Sequence, residues 1–354
     1  MDMTTINTSN NETKNKKKKN KKHLLPFISV CTPTFNRRPF FPALIKCFQN
    51  QSYPKERMEW IIIDDGTDPI KDLVENIPQV KYFYFDKQLL LGNKRNIMHS
   101  KCSGDIIIYM DDDDYYPRER VSHAVESLVK NPEFLIAGSS EMHIYFSHLD
   151  KVYQCGPYGK NHSTAATFAF RRELLLTTWY DDKKALAEET QFLRNYTIPL
   201  LQLDVLKTIL VLSHCHNSFD KKILLTMPEE SKIIQSPYHV NDFIKEEEMK
   251  NFYIRDLDNI LKTYKWGEPN HKPELLKQME EMRENREKRK EEYKQSIETQ
   301  RNSIYKNQQS EFKDMSEMKA HYEKMLESKN CLINELLKKI KTLTTEVQNM
   351  NKTI

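Results

Sequence analysis

Two patterns of apolar positions alternate along the first two thirds of the chain. The runs "FISVCT", "MEWIII", "VKYFYF", "GDIIIYM" and "EFLIAGS" are short, apolar and rich in β-branched and aromatic residues, as buried strands are. Between them "PFFPALIKCFQNQ", "GNKRNIMHSK" and "PRERVSHAVESLVK" carry apolar residues at helical spacing. From Pro26 to about Asp220 this alternation predicts an α/β fold, a mostly parallel sheet covered by helices on both faces. In such sheets ligands bind beyond the carboxyl ends of the strands. Polar clusters stand at those ends: "TPTFNRR" after the first run, "DDGTD" after the second and "DDDDYY" after the fourth.

A third pattern begins near Pro273, where Glu, Lys, Gln, Met and Asn dominate and Gly is absent. Reading back from the end, Ile354, Met350, Val347, Leu343, Ile340, Leu336 and Ile333 alternate four and three apart, which is a heptad seam. The register continues through Lys329, Leu326, Tyr322, Lys319, Met315, Phe312, Gln308 and Tyr305, with fewer apolar members. The spacing predicts a long helix over 273–354 with a coiled coil strongest over 305–354. In its last part β-branched residues at one core position face Leu or Met at the other, which favours a parallel homodimer. A single amphipathic helix packed on the domain is the alternative, and the polarity of the surrounding positions argues against it.

Composition adds limits. With 354 residues there is room for a sizeable core and a cleft. Charged residues at 30% and only seven glycines point to solvated helix or disorder in part of the length. Residues 1–23 are Asn-, Lys- and Thr-rich without hydrophobic periodicity and read as a disordered basic tail. The remaining organisation reads as an α/β domain over 24–225, a helical extension or linker over 226–272, and the helix over 273–354. A net charge of +4 and a lysine run without interleaved aromatics argue against nucleic acid as a partner. Cys31, Cys47, Cys102, Cys155, Cys215 and Cys331 form no CxxC pair, so neither a disulfide framework nor a thiolate zinc site is implied. No signal peptide or membrane-spanning run is present, and a cytoplasmic protein is expected.

Asp111, Asp112, Asp113 and Asp114 follow directly on the apolar run "IIIYM". Like charges so close repel one another unless something positive lies among them. Carboxylates at a strand end commonly hold a hard divalent cation, Mg²⁺ or Mn²⁺, whose other positions go to water and substrate phosphate. An acidic solvated loop would explain the charge but not its abrupt start after an apolar strand. Asp64 and Asp65 end the second strand, where Asp-Gly signals a turn; beside a phosphate site they could equally accept hydrogen bonds from a nucleobase or ribose.

Taken together, "ISVCTPTFNRR", "QNQSYPKERMEWIIIDDGTD", "GNKRNI", "GDIIIYMDDDDYYP" and "ALAEETQFL" resemble a family-2 glycosyltransferase of the GT-A, Rossmann-like fold, over residues 27 to about 220. The acidic run with paired tyrosines in a Lys- and Asn-rich chain is also similar to such enzymes of large DNA viruses. By this resemblance Pro33, Thr34, Phe35 and Asn36 would flank the nucleobase, Asp65 would contact the base, and Arg95 would lie on the nucleotide side. The family's Asp-x-Asp-Asp corresponds to Asp111, Asp113 and Asp114, which would hold the ribose and the metal-bound diphosphate. The resemblance implies metal-dependent, inverting, single-displacement transfer from a nucleotide-sugar, UDP-sugars foremost, to the hydroxyl of a glycan, protein or small-molecule acceptor. The family's general base is the second acid of a Glu-Asp pair at a helix start. Here that pair is Glu188 and Glu189, a departure that lengthens the base by one methylene. The plain alternative is an acidic first helical turn in "EETQFLRNY".

His214 and His216 lie beyond the short apolar run "LVLS" and are further metal candidates, since GT-A enzymes sometimes complete the metal shell with a late histidine; a structural role is the alternative. Arg171 and Arg172 fit an acceptor side or simple surface charge. A dehalogenase-type phosphatase also places Asp-x-Asp after an apolar strand, but not with Tyr115 next. A sugar-phosphate nucleotidyltransferase calls for a Gly-rich loop after the first strand, and none is present. A non-catalytic scaffold, a decayed nucleotide-binding domain with a coiled-coil helix, is the remaining reading.

Overall fold

The computed structural model describes residues 25–226, 228–311 and 315–350. The basic tail expected over 1–23, and the seam positions Phe312 and Ile354, lie outside the described residues. The chain divides into two compact units, Met1–Met279 and Glu280–Ile354.

The first unit is built on a seven-stranded sheet of order β3-β2-β1-β4-β8-β5-β9. Its strands are β1 (Ile28–Thr34), β2 (Met58–Asp64), β3 (Val80–Tyr84), β4 (Ile106–Tyr109), β5 (Ile136–Gly138), β8 (Ala169–Arg171) and β9 (Leu200–Gln202). All its pairings are parallel except those of β8, which runs antiparallel between β4 and β5. The helices among these strands are α1 (Phe41–Gln49), α2 (Lys71–Val74), α3 (Leu91–Lys101), α4 (Arg120–Lys130) and α5 (Glu189–Phe192).

Both faces of the sheet are buried, which is why its strands read as unbroken apolar runs. Ile28, Val30, Trp60, Ile62, Ile106 and Ile108 share one core with Phe41, Leu44 and Phe48 of α1 and Val121 and Leu128 of α4. The alternate residues Cys31, Ile61, Ile63, Ile107 and Tyr109 share the opposite core with Met98 of α3, Phe170 of β8 and Phe192 of α5. The mixed α/β class with a mostly parallel sheet, expected from the pattern, is thus the observed one.

A second sheet, of order β10-β6-β7-β11, is made by β6 (Met142–Phe146), β7 (Lys151–Cys155), β10 (Val211–Ser213) and β11 (Ile233–Gln235). The short helices α6 (Ile223–Thr226), α7 (Pro228–Ser231), α8 (Val240–Phe243), α9 (Glu247–Asn251) and α10 (Leu257–Thr263) follow β10. Of residues 226–272, read from the sequence as an extension or linker, the described ones from 228 on belong to the first unit. β11 pairs antiparallel with β7, and Phe243, Met249, Tyr253, Leu257 and Leu261 join the core shared by α1 and α4. The helix expected from "EETQFLRNY" stops at Phe192, because Arg194, Asn195 and Tyr196 all take positive φ.

The C-terminal region contains α11 (Pro273–Glu311) and α12 (Met315–Met350). Along α12, Leu326, Ile333, Leu336, Ile340, Leu343 and Val347 are each more than half exposed.

Candidate active site

β1, β2 and β4 run parallel, so the segments that follow them emerge on one edge of the sheet. Asn36 turns the chain after β1 with a φ of 52°, a conformation that asparagine tolerates better than most residues. Its side chain fixes the turn: Oδ1 accepts from Asp68 N at 3.0 Å and Nδ2 donates to Trp266 O at 3.0 Å. After β4, Asp111 N donates to Tyr116 Oη at 2.7 Å, which holds the acidic run against its own tyrosine.

A cavity opens on this edge, lined by Pro33, Thr34, Phe35 and Arg37 from the β1 end and by Asp111, Asp112 and Asp113 from the β4 end. Lys94 and Arg95 of α3, the segment Gln88 to Leu91, Ala185, Ser218, Lys272, Glu274 and Leu275 complete it. Lys94 and Arg95 reach it from the "GNKRN" turn of α3. Gly92 is required there, because a Cβ would lie 2.0 Å from Asp181 O.

The positive charge among the carboxylates is supplied by this chain's own guanidiniums. Arg37 is buried, with its nitrogens 3.7 Å from Asp112 Oδ1 and 3.7 Å from Asp113 Oδ2. It also donates to His216 O at 2.6 Å and Gly267 O at 3.1 Å. Gly267 must be glycine for this clamp to close, since a Cβ there would come within 2.7 Å of Asn36 O and His216 Nδ1. Arg95 donates from Nε to Glu188 Oε1 at 2.9 Å, and its Nη1 stands 3.7 Å from Asp111 Oδ1. Among the described residues neither Arg95 Nη1 nor Asp111 Oδ1 has a hydrogen-bond partner, although both atoms are buried. Unsatisfied buried groups of this kind are costly and call for a ligand, ion or water.

The acids are differentiated by their surroundings. Burial pushes Asp112 up to about 7 and raises Asp111 as well. Burial would raise Asp113 too, but the His214 hydrogen bond and the Arg37 guanidinium hold it well below the usual carboxylate range. Asp113 Oδ2 lies 3.3 Å from His214 Nε2. Two ligands of one divalent ion, each about 2.1 Å from it and at right angles, stand about 3.0 Å apart; this pair is near that spacing, but His214 Nε2 also stands 2.9 Å from Asn217 Nδ2 and would have to give up that contact to ligate.

Asp114 and His216 are placed otherwise. Asp114 Oδ1 accepts from Leu212 N at 3.0 Å and ties β4 to β10, and neither Asp114, His214 nor His216 lines the cavity; His214 is buried behind Asp113. His216 is buried, and among the described residues neither of its ring nitrogens has a hydrogen-bond partner. Among the described residues no three His, Cys, Asp or Glu side chains form a metal-holding group. Asp113 and His214 would therefore leave most positions of an ion to water and phosphate, as Mg²⁺ sites commonly do.

Asp64 and Asp65 divide the roles considered for them. Asp64 accepts from Gly66 N, Ile70 N and Tyr82 Oη and shapes the turn. Asp65 is completely buried; it pairs with Lys94 Nζ and accepts from Leu89 N at 2.6 Å, so both its oxygens are taken. Its side chain does not face the cavity. It holds two residues that do, Lys94 and Leu89.

Glu188 and Glu189 open α5. Glu188 is buried against Arg95. Glu189 is half-buried, lies outside the cavity lining, and is pushed up to about 7 by burial and by the neighbouring Glu188. Arg171 is structural, donating to Leu128 O and Phe134 O. Arg37, Lys94 and Lys272 were missed by sequence reasoning. For Arg37 and Lys94 a signal existed, since each neighbours a residue already singled out in "FNRR" or "GNKRN".

Residues 29–177 match the family described as Glycosyl transferase family 2. Over 113 residues, 30% of this chain, the sequence is 35% identical to a GalNAc(5)-diNAcBac-PP-undecaprenol beta-1,3-glucosyltransferase of Campylobacter jejuni, of which 34% is covered. Over 102 residues, 27% of this chain, it is 28% identical to the Staphylococcus aureus poly(ribitol-phosphate) beta-N-acetylglucosaminyltransferase TarS, of which 18% is covered. The chain thus spans about a third or less of these relatives' own lengths. Among solved structures, TarS 1–349 of S. aureus aligns over 52% of this chain and 60% of that one, with 19% identity and a TM-score of 0.41. A mannosyltransferase of Pyrobaculum calidifontis in complex with GDP-Man and Mn²⁺ aligns over 69% of this chain and 74% of that one, with 14% identity and a TM-score of 0.44. Among the described residues no helix is long and apolar enough to cross a membrane.

Proposed function

We propose that this chain is a family-2 glycosyltransferase that moves a sugar from a nucleotide-diphosphate-sugar, a UDP-sugar first among candidates, to an acceptor hydroxyl on a glycan, protein or small molecule. One observation carries the reading. The acidic run of the matched segment, Asp111 to Asp113, lines a single cavity with Pro33, Thr34, Phe35 and Arg95.

In this reading Pro33, Thr34 and Phe35 flank the nucleobase, with Asn36 fixing their turn, and Asp65 acts on the nucleotide side by holding Lys94 and the Leu89 backbone. Asp111 and Arg95, whose facing atoms lack partners, take up polar groups of the donor. Asp113 and His214 would hold a divalent ion, Mn²⁺ or Mg²⁺, with Asp114 supporting the run from β10. Such an ion supplies charge stabilisation to a departing diphosphate.

Transfer by single displacement needs a base that takes the acceptor's proton as its oxygen attacks the anomeric carbon. Glu189 is the group suited to it: it has no ion-pair partner within 4 Å among the described residues and is held near 7, where a base is deprotonated enough to act yet basic enough to accept. Glu188 positions Arg95 instead. Direct displacement inverts the anomeric configuration. The second unit contributes a coiled-coil homodimer.

The test is a screen of the purified protein against nucleotide-sugars, read by hydrolysis and by thermal shift with and without Mn²⁺. Turnover of one donor class, with a nucleoside diphosphate raising the melting temperature, is expected. If no nucleoside diphosphate with any divalent ion shifts it, the reading is wrong.

A further inference from the structure

Four cations line the cavity, and three of them are committed. Arg37 is clamped by two carbonyls and faces Asp112 and Asp113. Lys94 pairs with Asp65 and donates to Thr34 O at 2.9 Å. Arg95 donates to Glu188.

Lys272 differs from these. Its hydrogen bond is to Ser218 Oγ at 3.2 Å, and among the described residues no carboxylate lies within 4 Å of it. Its ammonium stands 5.5 Å from the centre of the Phe35 ring, which also lines the cavity. Asp112 and Asp113 attract it only from beyond ion-pair distance, against the like charges of Arg37 and Lys94, and a cation without its own paired carboxylate is a receptor for an anion.

The backbone beside it has the same preference. α11 begins directly after Lys272, and Glu274 and Leu275 of its first turn line the cavity. Pro273 has no N–H, and the first intrahelical bond is Leu276 N to Lys272 O at 3.1 Å. The amides of Glu274 and Leu275 therefore have no acceptor within the helix, at the end where the helix dipole is positive. The Glu274 carboxylate opposes an anion but is exposed, where water and salt screen it. Independently, Arg95 Nη1 is a buried donor on the same cavity with no hydrogen-bond acceptor among the described residues, Asp111 Oδ1 lying 3.7 Å away.

We propose that Lys272 and the first turn of α11 form the diphosphate-binding edge of the donor cavity, supplied from beyond the segment 29–177 that matches the family. The proposal rests on the nucleotide-sugar reading above and names which part of the donor this edge takes. Burial and the neighbouring Arg37 lower the Lys272 ammonium to about 7, and a bound diphosphate would relieve that strain. It also gives a function to the contacts that fasten residues 266–272 to the β1 turn: Asn36 to Trp266, Arg37 to Gly267, and Lys272 beside Phe35.

The test measures binding of inorganic pyrophosphate, UDP and uridine, with GDP and guanosine in parallel, to the full chain and to Lys272→Met and Lys272→Arg by calorimetry. Lys272→Met should weaken pyrophosphate and the nucleoside diphosphate about tenfold or more while leaving the nucleoside unchanged, and Lys272→Arg should recover most of the loss. A Lys272→Met protein that binds pyrophosphate and UDP or GDP as wild type does overturns the proposal. Equal weakening of the nucleoside does so too, since a merely structural role would have that effect. If a nucleoside binds too weakly to measure, pyrophosphate affinity at an unchanged melting temperature decides. Wild-type protein that binds none of these ligands instead overturns the nucleotide-sugar reading itself.

Discussion

Arg95 donates from Nε to Glu188 Oε1 across 2.9 Å, and the side chains of both residues are almost entirely buried. The guanidinium also stacks 4.5 Å from the centre of the Tyr109 ring. This contact joins α3 to the start of α5 and, through the Asp111 side, to the end of β4. Replacing Arg95 with Met would leave Glu188 buried without a cation and remove the facing charge from the partly exposed Asp111. Loss of one partner of a buried pair typically costs about 3–5 kcal/mol, so Arg95→Met should lower unfolding stability by that order in urea melts. A stability within about 1 kcal/mol of wild type would mean that water or ions already compensate the two acids.

Glu189 stands one position on from that pair. Glu189→Gln should leave UDP affinity nearly unchanged while lowering turnover by a factor on the order of 10² to 10⁴, with the remaining product still inverted at the anomeric carbon. Full activity in Glu189→Gln would move the base elsewhere. Retained configuration in the product would rule out single displacement.

The pH profile gives a second view of the same group. Burial and Glu188 push Glu189 up to about 7, and a base acts only when deprotonated. kcat/KM should therefore rise about tenfold per pH unit below that value and level off above it. A limb centred in the ordinary carboxylate range, near about 4.3, would show that another acid carries the proton.

Much of this architecture is readable from the letters because its strands are buried on both faces. Ile61, Ile62 and Ile63 alternate between two cores, so the run is apolar throughout and unmistakable. Of the second sheet only β10 was marked, by the apolar run "LVLS"; β6, β7 and β11 are three to five residues long and include polar residues such as His143 and Gln154. The end of α5 was equally hidden, since Arg194, Asn195 and Tyr196 turn left-handed without a glycine to mark it. The acids of the site were legible from their spacing, but their partners were not. Nothing local to Asn36 or Phe35 reveals that Trp266 and Lys272 close over them from 230 or more residues away.

Asp113 and His214 bear on ion dependence. UDP with Mn²⁺ should raise the melting temperature, since a ligand at a hundred times its dissociation constant adds roughly 2.7 kcal/mol. Asp113→Ala and His214→Ala should each lose the part of that shift which depends on the ion and keep the ion-independent part. If Asp113→Ala shifts as far as wild type, the ion is held elsewhere or is not needed.

The exposed stripe of α12 concerns assembly. Lys319, Leu326, Ile333, Ile340 and Val347 occupy one core position of the heptad, and Tyr322, Lys329, Leu336 and Leu343 the other. The six aliphatic members are more than half exposed on the single chain, and covering each fully is worth about 1.5–3 kcal/mol. β-branched residues opposite leucine favour two parallel strands, and Lys319 and Lys329 penalise other registers at some cost in stability. Sedimentation of the full-length chain should therefore give twice the chain mass. A truncation intended to release an active monomer has to end after Met279, where the first compact unit closes; a cut near residue 270 would remove Lys272 and Leu275 from the cavity wall. Full-length protein that stays monomeric at tens of micromolar, or a 1–279 fragment that remains dimeric, would contradict the coiled coil as the dimer contact.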